Sequence, residues 1–275
     1  MNTLFARDVT FAVLGSGSAG NCTYVGDGSA GVLIDCGLAT KQIFARMDSI
    51  GLGRAPIDAV LITHEHTDHV GAARVLCERL RERNNRAVPF YMTEGTLESC
   101  AENCTPDSAE IIESGVPFRV RHLEVDPFTV PHDVTDPVAY RLRVGETAVA
   151  VVTDLGRPTA LVAGKLKGLD VLALEFNHDM ELLMGGSYPW HLKQRIRSNH
   201  GHLSNDQAAE LLSSGFESNL KHLVLAHLSE KNNSPDKAMI SATRTLTQLG
   251  ANHVRVTVAE QSRALEPILV RTSQW

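Results

Sequence analysis

The chain has 275 residues, 43% hydrophobic and only 5% aromatic, with 26 Lys and Arg against 32 Asp and Glu and a formal net charge of −6. That length and apolar share predict one domain over 1–275, with a core mostly of Leu, Val, Ile and Ala. The acidity gives no support to a globally basic nucleic-acid binder, and no run approaches the roughly 20 apolar residues that span a bilayer.

The first fifteen residues lack a basic segment leading into an apolar one with a small-residue cleavage site. Cys22, Cys36, Cys77, Cys100 and Cys104 are odd in number and irregular in spacing, which argues against a disulfide framework. A reducing compartment, the cytoplasm, is therefore expected. The C-x3-C pair Cys100 and Cys104 reads as ordinary small residues.

In chain order, short apolar, β-rich runs predict strands at 10–14, 23–25, 32–34, 60–63, 148–152, 171–174, 223–226 and 254–258. Helical patterns fall between them. Several strands run directly into a polar residue fit for chemistry: Asp35, His64, Asp154, Glu175 and His227. Functional residues at strand ends are usual in α/β enzymes. A helix is predicted over 70–83, with Val70, Ala73, Leu76 and Leu80 on one face. A second, over 206–213, has a start signal in Ser204-Asn205-Asp206-Gln207, the capping-box form S-x-x-Q. Arg79, Arg81, Arg83 and Arg86, interleaved with Glu78 and Glu82, read as a solvated face that suits a helix C-terminus. No internal repeat, low-complexity tract or linker divides the chain.

The loop Gly15-Ser16-Gly17-Ser18-Ala19-Gly20-Asn21 is neither a P-loop nor a dinucleotide fingerprint. Its glycines let backbone approach a ligand or metal shell closely, and a tight strand-to-strand turn accounts for them equally well.

His64, His66, Asp68 and His69 fall within six residues after the predicted strand 60–63. Alternation along a strand lets His64 and His66 face a common point. Imidazole and carboxylate suit Zn2+, Mn2+ or iron. A His-rich polar turn is the plain alternative, but four ligand-type residues at a strand-to-helix junction are far rarer. With distant ligands added they exceed the needs of one tetrahedral ion, which hints at two.

H-x-H-x-D-H resembles the signature of the metallo-β-lactamase superfamily, and the likeness runs over nearly the whole chain. His132 in Pro131-His132-Asp133, Asp154 in Val152-Thr153-Asp154 and His227 in Leu225-Ala226-His227-Leu228-Ser229 fall in the family's order. The resemblance implies an α/β fold built as a four-layer αβ/βα sandwich. It also implies two divalent ions, Zn2+ or Mn2+. One would be held by His64, His66, His132 and Asp154, the other by Asp68, His69, Asp154 and His227. Taken singly the later matches are weak. His122, His178, His191, His200, His222 and His253 compete, and Asp154 also fits a helix cap before Gly156.

Further segments narrow the resemblance: Gly15 to Asn21, Leu33-Ile34-Asp35-Cys36-Gly37, Glu175-Phe176-Asn177-His178-Asp179, Gly201-His202-Leu203-Ser204-Asn205 and Ala226-His227-Leu228-Ser229-Glu230-Lys231-Asn232-Asn233. Together they are similar to the YycJ/WalJ group, a bacterial family associated with 5′-to-3′ DNA exonuclease activity. More distantly they are similar to tRNase Z and the β-CASP nucleases.

His202 favours phosphodiester chemistry, because it precedes Ser204 at a helix start. Free N–H groups and the positive dipole end there suit a phosphate, although simple packing explains a histidine there too. The expected mechanism has two ions sharing a water through Asp154 and depressing its pKa. Asp68 orients metal and water, and His202, or a second water, protonates the leaving oxygen. Glu175 is expected either to support a ligand histidine or to be a plain strand-end carboxylate. Ser204, Asn205, Asn21 and Lys231 are candidate substrate contacts, and Lys193, Arg195, Arg197 and Lys231 are candidates for a basic track. The expected partner is nucleic acid or another phosphodiester, with no membrane. The competing readings are a small phosphodiester, thioester or lactam hydrolase on the same centre, or a non-catalytic metal-bound scaffold. The complete set of seven ligand candidates speaks against the scaffold.

Overall fold

A computed structural model describes residues 8–271. Residues 1–7, part of the stretch read above for a targeting signal, and residues 272–275 lie outside the described residues.

The strands are Val9–Gly15 (β1), Cys22–Gly26 (β2), Gly31–Ile34 (β3), Ala59–Leu61 (β4), Phe90–Met92 (β5), Ala109–Ile111 (β6) and Phe118–Val120 (β7). They continue as Leu123–Thr129 (β8), Val138–Val144 (β9), Thr147–Val152 (β10), Val171–Glu175 (β11), His222–Ala226 (β12), Arg255–Val258 (β13) and Ile268–Val270 (β14). The helices are Thr40–Ser49 (α1), Thr67–Val70 (α2), Ala73–Asn84 (α3), Glu94–Ser99 (α4), Ala160–Lys165 (α5), Met180–Gly185 (α6), Trp190–Ile196 (α7), Asn205–Gly215 (α8) and Pro235–Gln248 (α9).

Two seven-stranded sheets run in the orders β14-β1-β2-β3-β4-β5-β6 and β13-β12-β11-β10-β9-β8-β7. Because side chains alternate across a strand, each sheet serves two cores. Val13, Ile34 and Leu61 of the first sheet meet Tyr140, Val151, Ala173 and Val224 of the second. Their neighbours Leu14, Leu33 and Val60 face outward onto Ile43 and Met47 of α1 and Leu76 and Leu80 of α3. On the opposite side Ala150, Val152 and Leu174 meet Val162 of α5, Leu211 of α8 and Ala242 of α9. The layers are therefore helix, sheet, sheet, helix: the expected αβ/βα sandwich.

The predicted helix over 70–83 is interrupted. Ala72 turns its N–H to Cys36 O at 2.9 Å, so the chain closes α2 and starts again as α3. The predicted strand 60–63 ends early for a related reason, since the Thr63 N–H goes to Asp35 Oδ1 at 2.8 Å instead of a strand partner. All five cysteines are free. Arg79 pairs with Glu82 on the surface of α3, as a solvated face should. Among the described residues no helix is long and apolar enough to cross a membrane.

Register places the site. Parallel β10, β11 and β12 pair Val152 with Leu174, Leu174 with Leu225 and Glu175 with Ala226. Asp154, Glu175 and His227 therefore emerge along one line at the carboxyl ends of three adjacent strands, where open α/β sheets bind ligands. In the facing sheet Ile34 pairs with Leu61, and Asp35 and His64 emerge beyond them. Asp35, Asp154 and His227 have φ of 60°, 59° and 54°. Such left-handed backbone is uncommon outside glycine and clusters at functional sites.

Candidate metal centre

The chain enters the site as β4 ends. His66 caps α2 with its carbonyl, accepting from His69 N at 2.8 Å and Val70 N at 3.0 Å. Two of the donors, Asp68 and His69, thus lie on one turn of helix. Gly37 packs so closely behind this turn that a Cβ would lie 1.7 Å from Asp68 O. Only glycine admits that approach, and Cys36 N beside it donates to His69 O at 2.7 Å.

The structure brings all seven expected ligands together. His64, His66 and His132 place one ring nitrogen each in a common group, and Asp68, His69 and His227 form a second. Asp154 joins His64 and His69 in one group and Glu175, His202 and His227 in another. Among the described residues no donor group includes His122, His178, His191, His200, His222 or His253.

The spacing within these groups suits a cation. Donors of a tetrahedral ion with bonds near 2.0–2.1 Å lie about 3.3 Å apart. His66 Nδ1 lies 3.1 Å from His64 Nε2 and 3.3 Å from His132 Nε2. Asp154 Oδ2 lies 3.1 Å from His69 Nε2, and Asp68 Oδ2 lies 3.5 Å from His227 Nε2. Yet Asp154 Oδ2 and His227 Nε2, both buried, have no aligned hydrogen-bond partner. Buried polar atoms without a hydrogen-bond partner, gathered this closely, suit a cation between them. The residues fit divalent metal.

The surrounding bonds fix which nitrogen is free. His69 Nδ1 lies 2.8 Å from Asp35 Oδ2, His132 Nδ1 3.1 Å from Gly201 O and His227 Nδ1 3.2 Å from Glu175 Oε1. With the Nδ1–H donated outward, Nε2 points its lone pair at the cluster, the usual arrangement behind metal-ligating histidines. Asp35 was legible only as a strand-end carboxylate within Leu33-Ile34-Asp35-Cys36-Gly37. Asn177, not singled out for a role by its sequence, donates from Nδ2 to His227 O at 2.9 Å and so holds the left-handed turn there.

The electrostatics separate the histidines. Burial pushes His64 well below the ordinary range and lowers His132. Burial opposes charge on His227 as well, but the Asp154 charge, with Asp68 and Glu175, outweighs it and raises the imidazole to about 10. Burial likewise opposes charge on His69, and Asp154 and Asp35 hold it well above its usual value. Burial would raise Asp154, but His227 and His69 keep it well below. Without metal, protons on histidine balance the buried carboxylates.

Glu175 contacts His227, as the first of its two readings expects, and also His202. Its Oε1 lies 3.2 Å from His227 Nδ1 and 2.8 Å from His202 Nδ1, while Oε2 accepts from Leu155 N and Leu203 N. Burial would raise this carboxyl, but the His202 charge and hydrogen bond pull it down to about 2. In return Glu175 raises His202 against the effect of burial. His202, with a side chain 22% exposed, also lies 3.5 Å from Asp154 Oδ1.

At the start of α8 the N–H groups of Ser204, Asn205 and Gln207 are already taken. Its capping box is complete: Ser204 Oγ takes Gln207 N, and Gln207 Oε1 takes Ser204 N. The next N–H, on Asn205, donates to His178 O at 2.8 Å. Ser204 and Asn205 are buried, and the Asn205 amide pairs with that of Asn233. Both side chains clamp loops here. Asn21 is also buried, with Nδ2 on Gly17 O and beside His69 Nε2 at 3.0 Å. Lys231 lies over the Tyr188 ring. Lys193, Arg195 and Arg197 form no basic track. Lys193 is buried with Nζ on Met184 O and Gly186 O, Arg195 pairs with Asp133, and Arg197 lies over Trp190.

A two-sheet sandwich with clustered His and Asp donors at its strand ends defines a metal-dependent hydrolase, and the profile of the β-lactamase superfamily domain matches residues 31–227. The chain belongs to that superfamily. It is 34% identical over 243 residues, 87% of this chain and 90% of the relative, to the exodeoxyribonuclease YycJ of Bacillus anthracis. It is 33% identical to the exodeoxyribonuclease WalJ of Streptococcus pneumoniae, over 86% of this chain and 88% of that one. The metallo-β-lactamase fold protein YhfI of Bacillus subtilis superposes with a TM-score of 0.70 at 17% identity, covering 94% of this chain and 99% of that one.

Proposed function

We propose that the chain, working as one domain in the cytoplasm, is a dinuclear phosphodiesterase that degrades DNA from a 5′ end. His64, His66, His132 and Asp154 hold one ion, and Asp68, His69, Asp154 and His227 hold the other. Donors of histidine and aspartate without cysteine suit Zn2+ and Mn2+ alike. Such a pair, when bound, supplies charge neutralisation for the phosphodiester oxygens and an acidified water.

The observation that carries the phosphodiester reading is the Glu175–His202 pair beside Asp154. Glu175 holds His202 by Nδ1 and, by staying ionised, keeps a proton on the imidazole. His202 Nε2 is then the nitrogen that passes a proton to a departing alkoxide. Asp68, lowered by His227 and His69 against the effect of burial, stays ionised and acts as an orienting carboxylate, not as a base. The DNA reading is supported by the two relatives named exodeoxyribonucleases, each matched over more than four-fifths of both chains. The free cysteines support a reducing compartment.

The test is metal analysis together with 5′- and 3′-labelled single- and double-stranded oligodeoxynucleotides. Two ions per chain and release of the 5′ label before the 3′ label are expected. Hydrolysis of small esters with no cleavage of any oligonucleotide would overturn the reading.

A further inference from the structure

Between Glu175 and His202 the chain makes an excursion through α6 and α7, and both of its ends are tied to the site. At the start, Asp179 N donates to Asn232 O at 2.8 Å, in the loop that follows His227. At the end, His202 N donates to Ile196 O at 2.8 Å, and Arg195 Nη2 reaches Asp133 Oδ1, beside His132, at 3.2 Å. Lys193 Nζ, bonded to Met184 O and Gly186 O at 2.7 Å each, locks the two helices to each other. The excursion therefore runs from the His227 loop to the His132 loop as a fixed wall of the metal centre.

This wall is unusually apolar on its outside. Of the nine large exposed hydrophobic side chains among the described residues, Met180, Leu182 and Trp190 fall within eleven residues here. Trp190 is 56% exposed. Two rings of the wall, exposed Trp190 and half-buried Tyr188, carry a cation. Arg197 Cζ lies 5.8 Å from the Trp190 ring centroid, and Lys231 Nζ lies 5.6 Å from that of Tyr188. Among the described residues no carboxylate lies within ion-pairing distance of either cation, although the protein is acidic overall. Exposed aromatic faces with unneutralised cations are the means by which proteins hold single-stranded nucleic acid. Bases stack on the rings while Lys and Arg meet the backbone.

We propose that Tyr188 with Lys231, and Trp190 with Arg197, form a stacking platform that holds a single-stranded DNA end beside the metal centre. The proposal rests on the phosphodiesterase reading and names its substrate as single-stranded. Trp190 opens α7, and Arg197, the residue that follows the helix, lies back over its ring, while Arg195 reaches Asp133. Stacking needs few cations, which reconciles the site with a net charge of −6. With two cations involved, log affinity should fall against log salt with a slope of only about −1.4.

The experiment compares the metal-loaded wild type with Trp190→Ala, Tyr188→Ala, Trp190→Phe and Tyr188→Phe. The substrates are a 12-residue oligothymidylate and bis(4-nitrophenyl) phosphate. Each alanine variant should raise KM for the oligonucleotide roughly five- to hundredfold, the worth of one stacked base, with kcat unchanged. Phenylalanine should restore it, and bis(4-nitrophenyl) phosphate hydrolysis should not move. An unchanged KM in both alanine variants overturns the platform. Equal losses on both substrates also overturn it, because the wall would then act only by supporting the metal centre. A wild type that hydrolyses bis(4-nitrophenyl) phosphate but no oligonucleotide removes the DNA reading itself, before any variant is measured.

Discussion

The two sheets contribute to the site in opposite ways. The first gives His64, His66, Asp68 and His69 in one run between β4 and α3, braced by Asp35 and Gly37. The second gives Asp154, Glu175, His202 and His227 singly, from the ends of β10, β11 and β12 and the start of α8. One half is a local motif and the other is a product of strand register. The contiguous half brings four metal donors, whereas the dispersed half also brings Glu175 and His202, on which the phosphodiester proposal rests.

The sharpest way to break that comparison is Asp154→Ala, because this dispersed carboxylate shares one donor group with His64 and His69 of the contiguous half and another with Glu175, His202 and His227 of its own half. Metal analysis should show both ions lost, and activity should fall below detection. His64→Ala, which leaves Asp68, His69 and His227 intact, should empty one position first. Full metal content and activity in Asp154→Ala would show that the halves bind independently.

Next in size is His202→Ala, expected to lower kcat by about 10²–10⁴, the range for a general acid, with metal content unchanged. Loss of metal would place His202 among the ligands. Glu175→Gln should cost less, about 10–100-fold, as for partners behind a ligand. Because Glu175 raises His202, the alkaline limb of the kcat profile should move to lower pH in this variant. A profile that keeps its alkaline limb would mean that Glu175 only packs.

The same contrast explains what the sequence made legible. Spacing alone picked out His64 to His69, since a turn forces neighbours in sequence to be neighbours in space. His132, Asp154 and His227 were recognisable only by their order, because no local rule says that the ends of β8, β10 and β12 meet at one site. Ser204 and Gln207 announced the start of α8, yet those same residues close it by taking each other's N–H groups. A strong capping signal is thus evidence against a free anion site at that helix end. Strand β8 escaped notice in part because Pro127 interrupts it. Strand β7 pairs only as far as Val125, so no neighbour on that side needs the missing Pro127 donor.

Metal uptake should be coupled to proton release. Without metal His227 holds a proton up to about pH 10, and His69 is also raised. Binding must displace these protons, so affinity should weaken as pH falls. Titration calorimetry at pH 7.5 in buffers of differing ionisation enthalpy should show between one and two protons released per two ions. A buffer-independent heat would mean that the carboxylates are balanced in some other way.

The smallest effect concerns the loop clamp on which the dispersed half depends. His178 is fully buried behind Glu175 and His202, and neither ring nitrogen has a hydrogen-bond partner. Its main chain pins Leu203 and Asn205. Burial lowers this imidazole to about 4. Between that value and an unfolded value near 6.5 the unfolded chain binds the additional proton, so acid favours unfolding in this window, by up to ~3 kcal/mol at its lower end. His178→Phe keeps a ring of similar shape and removes both the titration and the unsatisfied donor. In urea unfolding with chelator present, the variant should match or exceed wild-type stability at pH 7 and gain on it steadily down to pH 4.5. If the two curves stay parallel, His178 is not held neutral. A variant with less stability at pH 7 would show that its ring nitrogens contribute to the clamp, and that the dispersed half is held by side chains as well as by main chain.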